Sequence, residues 1–345
     1  VGEHPATETI AAIPKVELHL HLETSLRLRR LSQRRGLDGG QAEDAHLVAD
    51  PALFAGYDRL RRLRYAGRAW RVPDALYTPA NVATITAELI AEAAAQSSRH
   101  VEIRVGGRRG FALLGVRGML EAMAEGAATV GHLGAGYGVI VTVVRERGPE
   151  EADRLLSEAV ACRDCGVVGI DLAGDEQNYP PGLFARPLAK ARNAGLGVTV
   201  HAGEFAGPAG MWTAIYQLGA TRIGHGIRAA DDAPLLDLLR ERRVTLELCP
   251  TSNLRLGLVP SIAQHPIRRL IDAGVAVTVN SDDPVLLSTT LTRELMVVAK
   301  AHHLTHETLV DLQANAARAA FLPQESREHL EHRVRSGAKT LGLIS

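Results

Sequence analysis

The chain has 345 residues, 46% of them hydrophobic, with 39 basic residues balanced by 39 acidic ones. That length and apolar fraction suffice for one large domain, and a formal net charge of zero excludes a global field that would recruit nucleic acid or an anionic membrane. No apolar run reaches the ~20 residues a bilayer-spanning helix needs, and the opening stretch VGEHPATETIAAIPK lacks the charged and apolar regions of a signal peptide, so a cytoplasmic location is expected.

Eight short β-branched runs, at 15–22, 99–105, 137–145, 167–173, 197–202, 222–226, 244–249 and 276–281, alternate with longer helical patterns. Strands separated by helices imply right-handed crossovers and parallel pairing, and eight of them fit a closed (β/α)8 barrel, a TIM barrel of class α/β, spanning 1–345 as one domain. After the first run comes an insertion, about 37–77, which contains DRLRRLRYAGRAWRVP. On a barrel it would fall at the catalytic face, where it reads either as a lid or as a solvated helical face. TPANVATITAELIAEAAAQSS then predicts a helix capped by Thr78 with Pro79 in its first turn. GHLGAGYG at 131–138 reads as the turn into the third strand, since no Lys-Ser/Thr pair follows to make a phosphate loop. Cys162 and Cys165 form a lone C-x-x-C without a second pair, so these two and Cys249 are expected to be structural thiols.

Barrel enzymes keep their reactive groups at the C-terminal ends of the strands. Here those ends read HLHLE, DLAGDE, HAGE, GHG, CPTSN and NSDDP for strands one and four to eight, and five of the six hold histidine or paired carboxylates. His19 and His21 are two apart in a strand and so project from one face. With His201 and Asp282 they make a nitrogen and oxygen set suited to Zn2+, which would bring a water toward a pKa of ~7. His225 is placed to orient or deprotonate that water, and Glu204 is a candidate proton shuttle to the substrate. Asp282 and Asp283 need different tasks, one on the metal and the other on the substrate.

PKVELHLHLE, VVGIDLAGDE, HAGE, RIGHGI, CPTSN and SDDP, in this order from about residue 14 to about residue 322, resemble the adenosine deaminase family of the amidohydrolase superfamily. The resemblance implies one Zn2+ per chain, held by His19, His21, His201 and Asp282, because the lysine that bridges two metals in other superfamily members has no counterpart in GIDLAGDE. It implies that Glu204 protonates purine N1 while hydroxide attacks C6, that His225 orients the water, that Asp283 bonds N7 and that the Gly174 amide reaches N3. Ammonia leaves and a 6-oxo purine remains. The H-x-E and P-C-x-x-C signature of deaminases acting on nucleic-acid bases is absent. The implied partner is therefore a small purine nucleoside, with neither nucleic acid nor membrane, and no feature specifies an oligomeric state.

The chain departs from the family pattern twice. Glu23 and Thr24 stand where adenosine deaminases commonly have Asp-Gly, the aspartate gripping the ribose 5′-hydroxyl. A glutamate there also occurs in relatives that deaminate free adenine or 5′-modified adenosines. In the insertion, Arg61, Arg62, Arg64 and Arg68 replace a hydrophobic lid, and one of them could grip a carboxylate or phosphate. Adenosine or 2′-deoxyadenosine is the expected substrate. The alternatives are a 5′-extended adenosine such as aminodeoxyfutalosine, free adenine, or, from another class, a non-catalytic nucleoside-binding or signalling barrel.

Overall fold

The computed structural model describes residues 7–36, 72–106 and 108–345. Arg61, Arg62, Arg64 and Arg68, with most of the insertion read at 37–77, lie outside the described residues. Eight strands run in chain order around one parallel sheet: β1 (Lys15–His21), β2 (Ser98–Val105), β3 (Gly136–Val144), β4 (Val167–Ala173), β5 (Gly197–Ala202), β6 (Arg222–His225), β7 (Thr245–Leu248) and β8 (Val277–Val279). Each matches a run read from the sequence, and the (β/α)8 expectation holds. The helix expected after Thr78 spans Pro79–Ala95, and Thr78 Oγ1 accepts from the Asn81 amide at 3.2 Å. GHLGAGYG opens with a 3-10 turn, Gly131–Leu133, and its last three residues begin β3. The three cysteines are free and buried, and among the described residues no helix is long and apolar enough to cross a membrane.

Side-chain parity divides each strand between two environments. On β1, Val16 and Leu18 join the cluster formed with Val310, Ala316 and Val334 of the C-terminal helices. The alternate positions Lys15, Glu17 and His19 are also buried, and His19 faces His201 and His225 across the barrel interior. Likewise β2 sends Val101, Ile103 and Val105 to the apolar layer, while Glu102 and Arg104 are buried on the other face. The interior is therefore polar and the hydrophobic core is mainly the annulus between sheet and helices.

Closure rests on few backbone bonds, because β8 is only three residues long. Past its end, the Asp282 amide donates to His19 O at 3.0 Å and the His21 amide donates to Asp282 O at 2.8 Å. Side chains complete the seam. Asn280 Oδ1 accepts from the Leu18 and His19 amides at 3.1 and 3.2 Å, Glu17 Oε1 accepts from the Ser281 amide at 2.8 Å, and Gln313 Oε1 accepts from the Val16 amide at 2.9 Å. Where β8 is too short to pair with β1, the seam's backbone donors, most of them on β1, are thus satisfied by side-chain amide and carboxylate oxygens.

The first layer of helices packs tightly enough to test. A Cβ on Gly126, in the helix that follows the kink at Gly115 within Arg108–Thr129, would lie 2.2 Å from the carbonyl oxygen of Ala83 in Pro79–Ala95. Gly126→Ala should therefore destabilise the fold by about 1–3 kcal/mol in urea titrations. Gly118→Ala in the same helix, where the nearest atom would be 3.8 Å away, should instead stabilise by up to about 1 kcal/mol through helix propensity.

Candidate active site

The barrel's closing seam places His19, His21 and Asp282 together, and β5 brings His201 to them. His19 and His21 end β1, His201 lies near the end of β5, and Asp282 follows β8. The His19 ring centroid is 5.4 Å from that of His21 and 4.6 Å from that of His201. One ligand atom from each of the three imidazoles lies within 4.8 Å of the others. Asp282 Oδ1 stands 3.4 Å from both His19 Nε2 and His21 Nε2. Gly224 makes this density possible, since a Cβ there would come within 3.0 Å of the His19 ring and 3.3 Å of His201.

Carboxylates on the far side fix which nitrogens face inward. His19 Nδ1 is 3.0 Å from Glu247 Oε2, and His201 Nδ1 is 2.9 Å from Asp171 Oδ1. That leaves each Nε2 to face the centre, in the arrangement by which carboxylates orient metal-binding histidines. Arg104 joins the two carboxylates, donating to Asp171 at 3.3 Å and to Glu247, and it also donates to the Leu18 carbonyl. Burial opposes ionisation of Asp171, yet His201 and Arg104 hold its carboxyl well below the usual range. Glu247 is likewise opposed by burial and held low by Arg104, Arg222 and His19.

The donor set fits a cation. His19 Nε2 is buried without a hydrogen-bond partner and faces the Asp282 carboxylate. Burial and Arg104 disfavour a charged His19, but the neighbouring carboxylates of Asp282 and Glu247 raise its pKa above the ordinary value. The centre thus calls for positive charge at that nitrogen, and three imidazoles with one carboxylate could supply it with a bound Zn2+.

Glu204, His225, Gly174 and Asp283 line one cavity together with His21, His201 and Asp282. His225 Nε2 is 3.6 Å from Glu204 Oε1 and 3.9 Å from Asp282 Oδ2. Phe205 and Leu286 add apolar walls. Glu23 meets this wall through the backbone: its two carboxylate oxygens accept from the Val285 and Leu286 amides at 2.9 and 2.8 Å. Burial and the nearby Asp283 raise its pKa to about 8. Three of these residues hold left-handed backbones, Glu23 with φ 50°, His225 with φ 58° and Asp282 with φ 62°. Such conformations cost about 1–3 kcal/mol each in a non-glycine residue and gather at functional sites.

Four supporting residues were not singled out by sequence reasoning. Asp171, Glu247 and Arg104 sit inside strands, and the signal for them was a charged residue at a position whose parity matches the interior. Glu176, within LAGDE, gathers the loop after β5. Its carboxylate accepts from the amides of Gly203, Glu204 and Ala206 at 2.9, 2.9 and 2.8 Å, and from that of Phe205. Four amides on one buried carboxylate set the course of the segment that carries Glu204.

The adenosine deaminase family model matches residues 14–336. An adenosine deaminase of Enterococcus faecalis is 32% identical over 336 residues, covering 94% of this chain and 97% of that protein. Among solved structures, an adenine deaminase from Arthrobacter aurescens superposes with a TM-score of 0.83 at 27% identity, covering 95% of this chain and 99% of that one. An amidohydrolase from Burkholderia ambifaria with bound Zn superposes with a TM-score of 0.82 at 25% identity, covering 100% of this chain and 96% of that one. A shared barrel, a match along nearly the whole chain and histidines gathered at the strand ends agree: this chain belongs to the adenosine deaminase family.

Proposed function

We propose that the chain removes the 6-amino group of a purine nucleoside, adenosine or 2′-deoxyadenosine, by hydrolysis, releasing ammonia and a 6-oxo purine. The observation that carries this reading is the convergence of three imidazoles and Asp282 on one side of a cavity that Glu204, His225, Gly174 and Asp283 also line. His19, His21, His201 and Asp282 would hold one Zn2+. The two groups of residues able to bind a metal among those described both include His19, which argues for a single centre. Bound there, zinc would supply a Lewis acid that lowers the pKa of a water to about 7.

The remaining steps belong to the protein. Glu204 delivers a proton to ring nitrogen N1, which concentrates the electron deficiency of the purine at C6 and prepares that carbon for attack. His225, beside Glu204, orients the attacking water. Asp283 and the Gly174 amide fix the ring through N7 and N3, so that C6 rather than another edge meets the nucleophile. The apolar Phe205 and Leu286 exclude bulk water from the ring faces.

A second substrate reading draws on Glu23. Both of its oxygens already accept backbone amides, which leaves less capacity for a ribose 5′-hydroxyl than an unencumbered carboxylate would offer. A 5′-extended adenosine such as aminodeoxyfutalosine, or free adenine, would not need that contact. Ranking adenosine, 2′-deoxyadenosine, adenine, 5′-methylthioadenosine and aminodeoxyfutalosine by kcat/KM separates these readings. A zinc-replete protein that leaves all of them unchanged would sink the deaminase assignment.

Glu204→Gln should lower kcat by about 10²–10⁴-fold while zinc content and inosine binding stay near native, and near-native turnover would remove Glu204 from the proton-donor role. Asp171→Asn takes the carboxylate charge from His201 and should weaken zinc binding about 10–100-fold in chelator competition. Unaltered affinity would show that Asp171 does not support the ligand.

A further inference from the structure

Behind His225 runs a chain of buried polar groups that none of the roles above employs. The Ile267 amide donates to His265 Nδ1 at 3.1 Å. His265 Nε2 lies 3.1 Å from Asn253 Oδ1, and Asn253 Nδ2 lies 3.2 Å from His225 Nδ1. Asn253 is 0% exposed and His265 3%, so bulk water does not satisfy these atoms.

The direction of the whole chain follows from its far end. A peptide N–H donates and never accepts, so His265 Nδ1 must be an acceptor. Burial, aided by the neighbouring His302, depresses the His265 pKa to about 3. At neutral pH its ring therefore carries one proton, on Nε2. That proton has Asn253 Oδ1 as its acceptor, which orients the amide with Nδ2 toward His225. Asn253 then donates to His225 Nδ1, and an imidazole whose Nδ1 accepts carries a proton on Nε2. This is the nitrogen beside Glu204 and Asp282. The polarity does not depend on how the amide of Asn253 is drawn, because the peptide donor at one end dictates each step.

We propose that Asn253 and His265 are positioning residues that lock His225 in its Nε2–H tautomer, so that a fixed hydrogen-bond donor faces the reaction cavity. His225 is left with two roles by its location alone, orienting the water or taking its proton. The lock selects the first, because an Nε2 that already bears hydrogen offers no lone pair to a proton. It also explains how His225 keeps a φ of 58°, with its ring anchored from the rear in one orientation. The kinetic consequence rests on the deaminase reading, whereas the tautomer itself does not.

The test is a long-range 1H–15N correlation spectrum of the zinc-loaded protein labelled in histidine, with the His225 signals assigned by their disappearance in His225→Asn. The native spectrum should show Nε2 as the protonated nitrogen and Nδ1 as the bare one. Asn253→Asp replaces the donor with an acceptor, so the proton should appear at Nδ1 and kcat should fall about 100-fold, with inosine binding kept within about threefold. His265→Leu removes the donor to Asn253 and should also lower kcat, and His265→Gln, which keeps a side-chain N–H, should recover at least about tenfold of that loss. A native spectrum with the proton on Nδ1 overturns the proposal even if a variant fails to fold. Equal activity of the two His265 variants also overturns it. The expected spectrum in a protein that deaminates no purine nucleoside would uphold the lock and reject the deaminase reading.

Discussion

Two peptide hydrogen bonds, from the Asp282 amide to His19 O and from the His21 amide to Asp282 O, close the barrel and set the spacing of its chemistry. Since β8 ends at Val279, the sheet reaches its first strand only through the segment Asn280–Asp282. The backbone that joins the two edges therefore carries three of the side chains proposed to share an ion, His19, His21 and Asp282. His19 and His21 project inward on either side of the residue whose carboxylate meets both. Geometry imposed by closure does not relax when a side chain is withdrawn, and such preorganisation is what a metal centre asks of its scaffold. The left-handed φ of Asp282, 62°, reflects the same demand, since the chain must leave the strand at once while keeping its amide and carbonyl on β1.

Beneath the centre, the barrel interior is held by ion pairs. Arg104 lies between Asp171 and Glu247, and Arg222 links Glu247 to Glu102 at 2.7 and 2.6 Å. Desolvating so many charges is expensive, and hydrophobic replacements of similar volume often match or exceed the stability of such pairs. The arrangement is better understood through direction. A carboxylate held ionised by arginine keeps its histidine's proton on Nδ1, so that Nε2 points to the centre. Leucine or valine at these positions would fill the space but would not choose a tautomer. His225 is governed in the same manner from the opposite side, by an amide and a neutral histidine. The two histidines proposed as ligands thus have charged partners, and the histidine proposed as a fixed donor has uncharged ones.

These two layers differed in how far they could be read from the chain. The strands were legible because β-branched runs recur between helical patterns. The chemistry at their ends was legible because His19, His21, His201, Glu204, His225, Asp282 and Asp283 occur in compact motifs. Arg104, Asp171 and Glu247 were harder, since a charged residue in a strand ordinarily faces solvent and only a closed barrel turns that face inward. Glu176 sat inside a recognised motif, but its attachment to four amides of the loop after β5 depends on the separation of two loops in space. The left-handed backbones of Glu23, His225 and Asp282 had no signal at all, because glycine or asparagine normally marks such positions. The arginines at 61, 62, 64 and 68 fall outside the described residues, so the substrate contact considered for them rests on sequence alone.

Glu23 shows why departures from a family pattern are best read through the backbone. As a lone substitution for aspartate it suggests a pocket with a longer acid at its 5′ end. In place, its carboxylate bonds the Val285 and Leu286 amides, which directly follow Asp283 and Pro284. The residue beyond the second histidine is thereby tied to the turn that presents Asp282 to the centre and Asp283 to the cavity. An aspartate, one methylene shorter, would have to shift that turn or release it. Under the roles proposed for Glu23 and Asp283, substrate choice at the 5′ end and ring orientation at N7 would be mechanically coupled through one carboxylate. On that proposal a change at position 23 would act on both ends of a nucleoside, and the coupling would appear as kcat moving together with KM rather than KM moving alone.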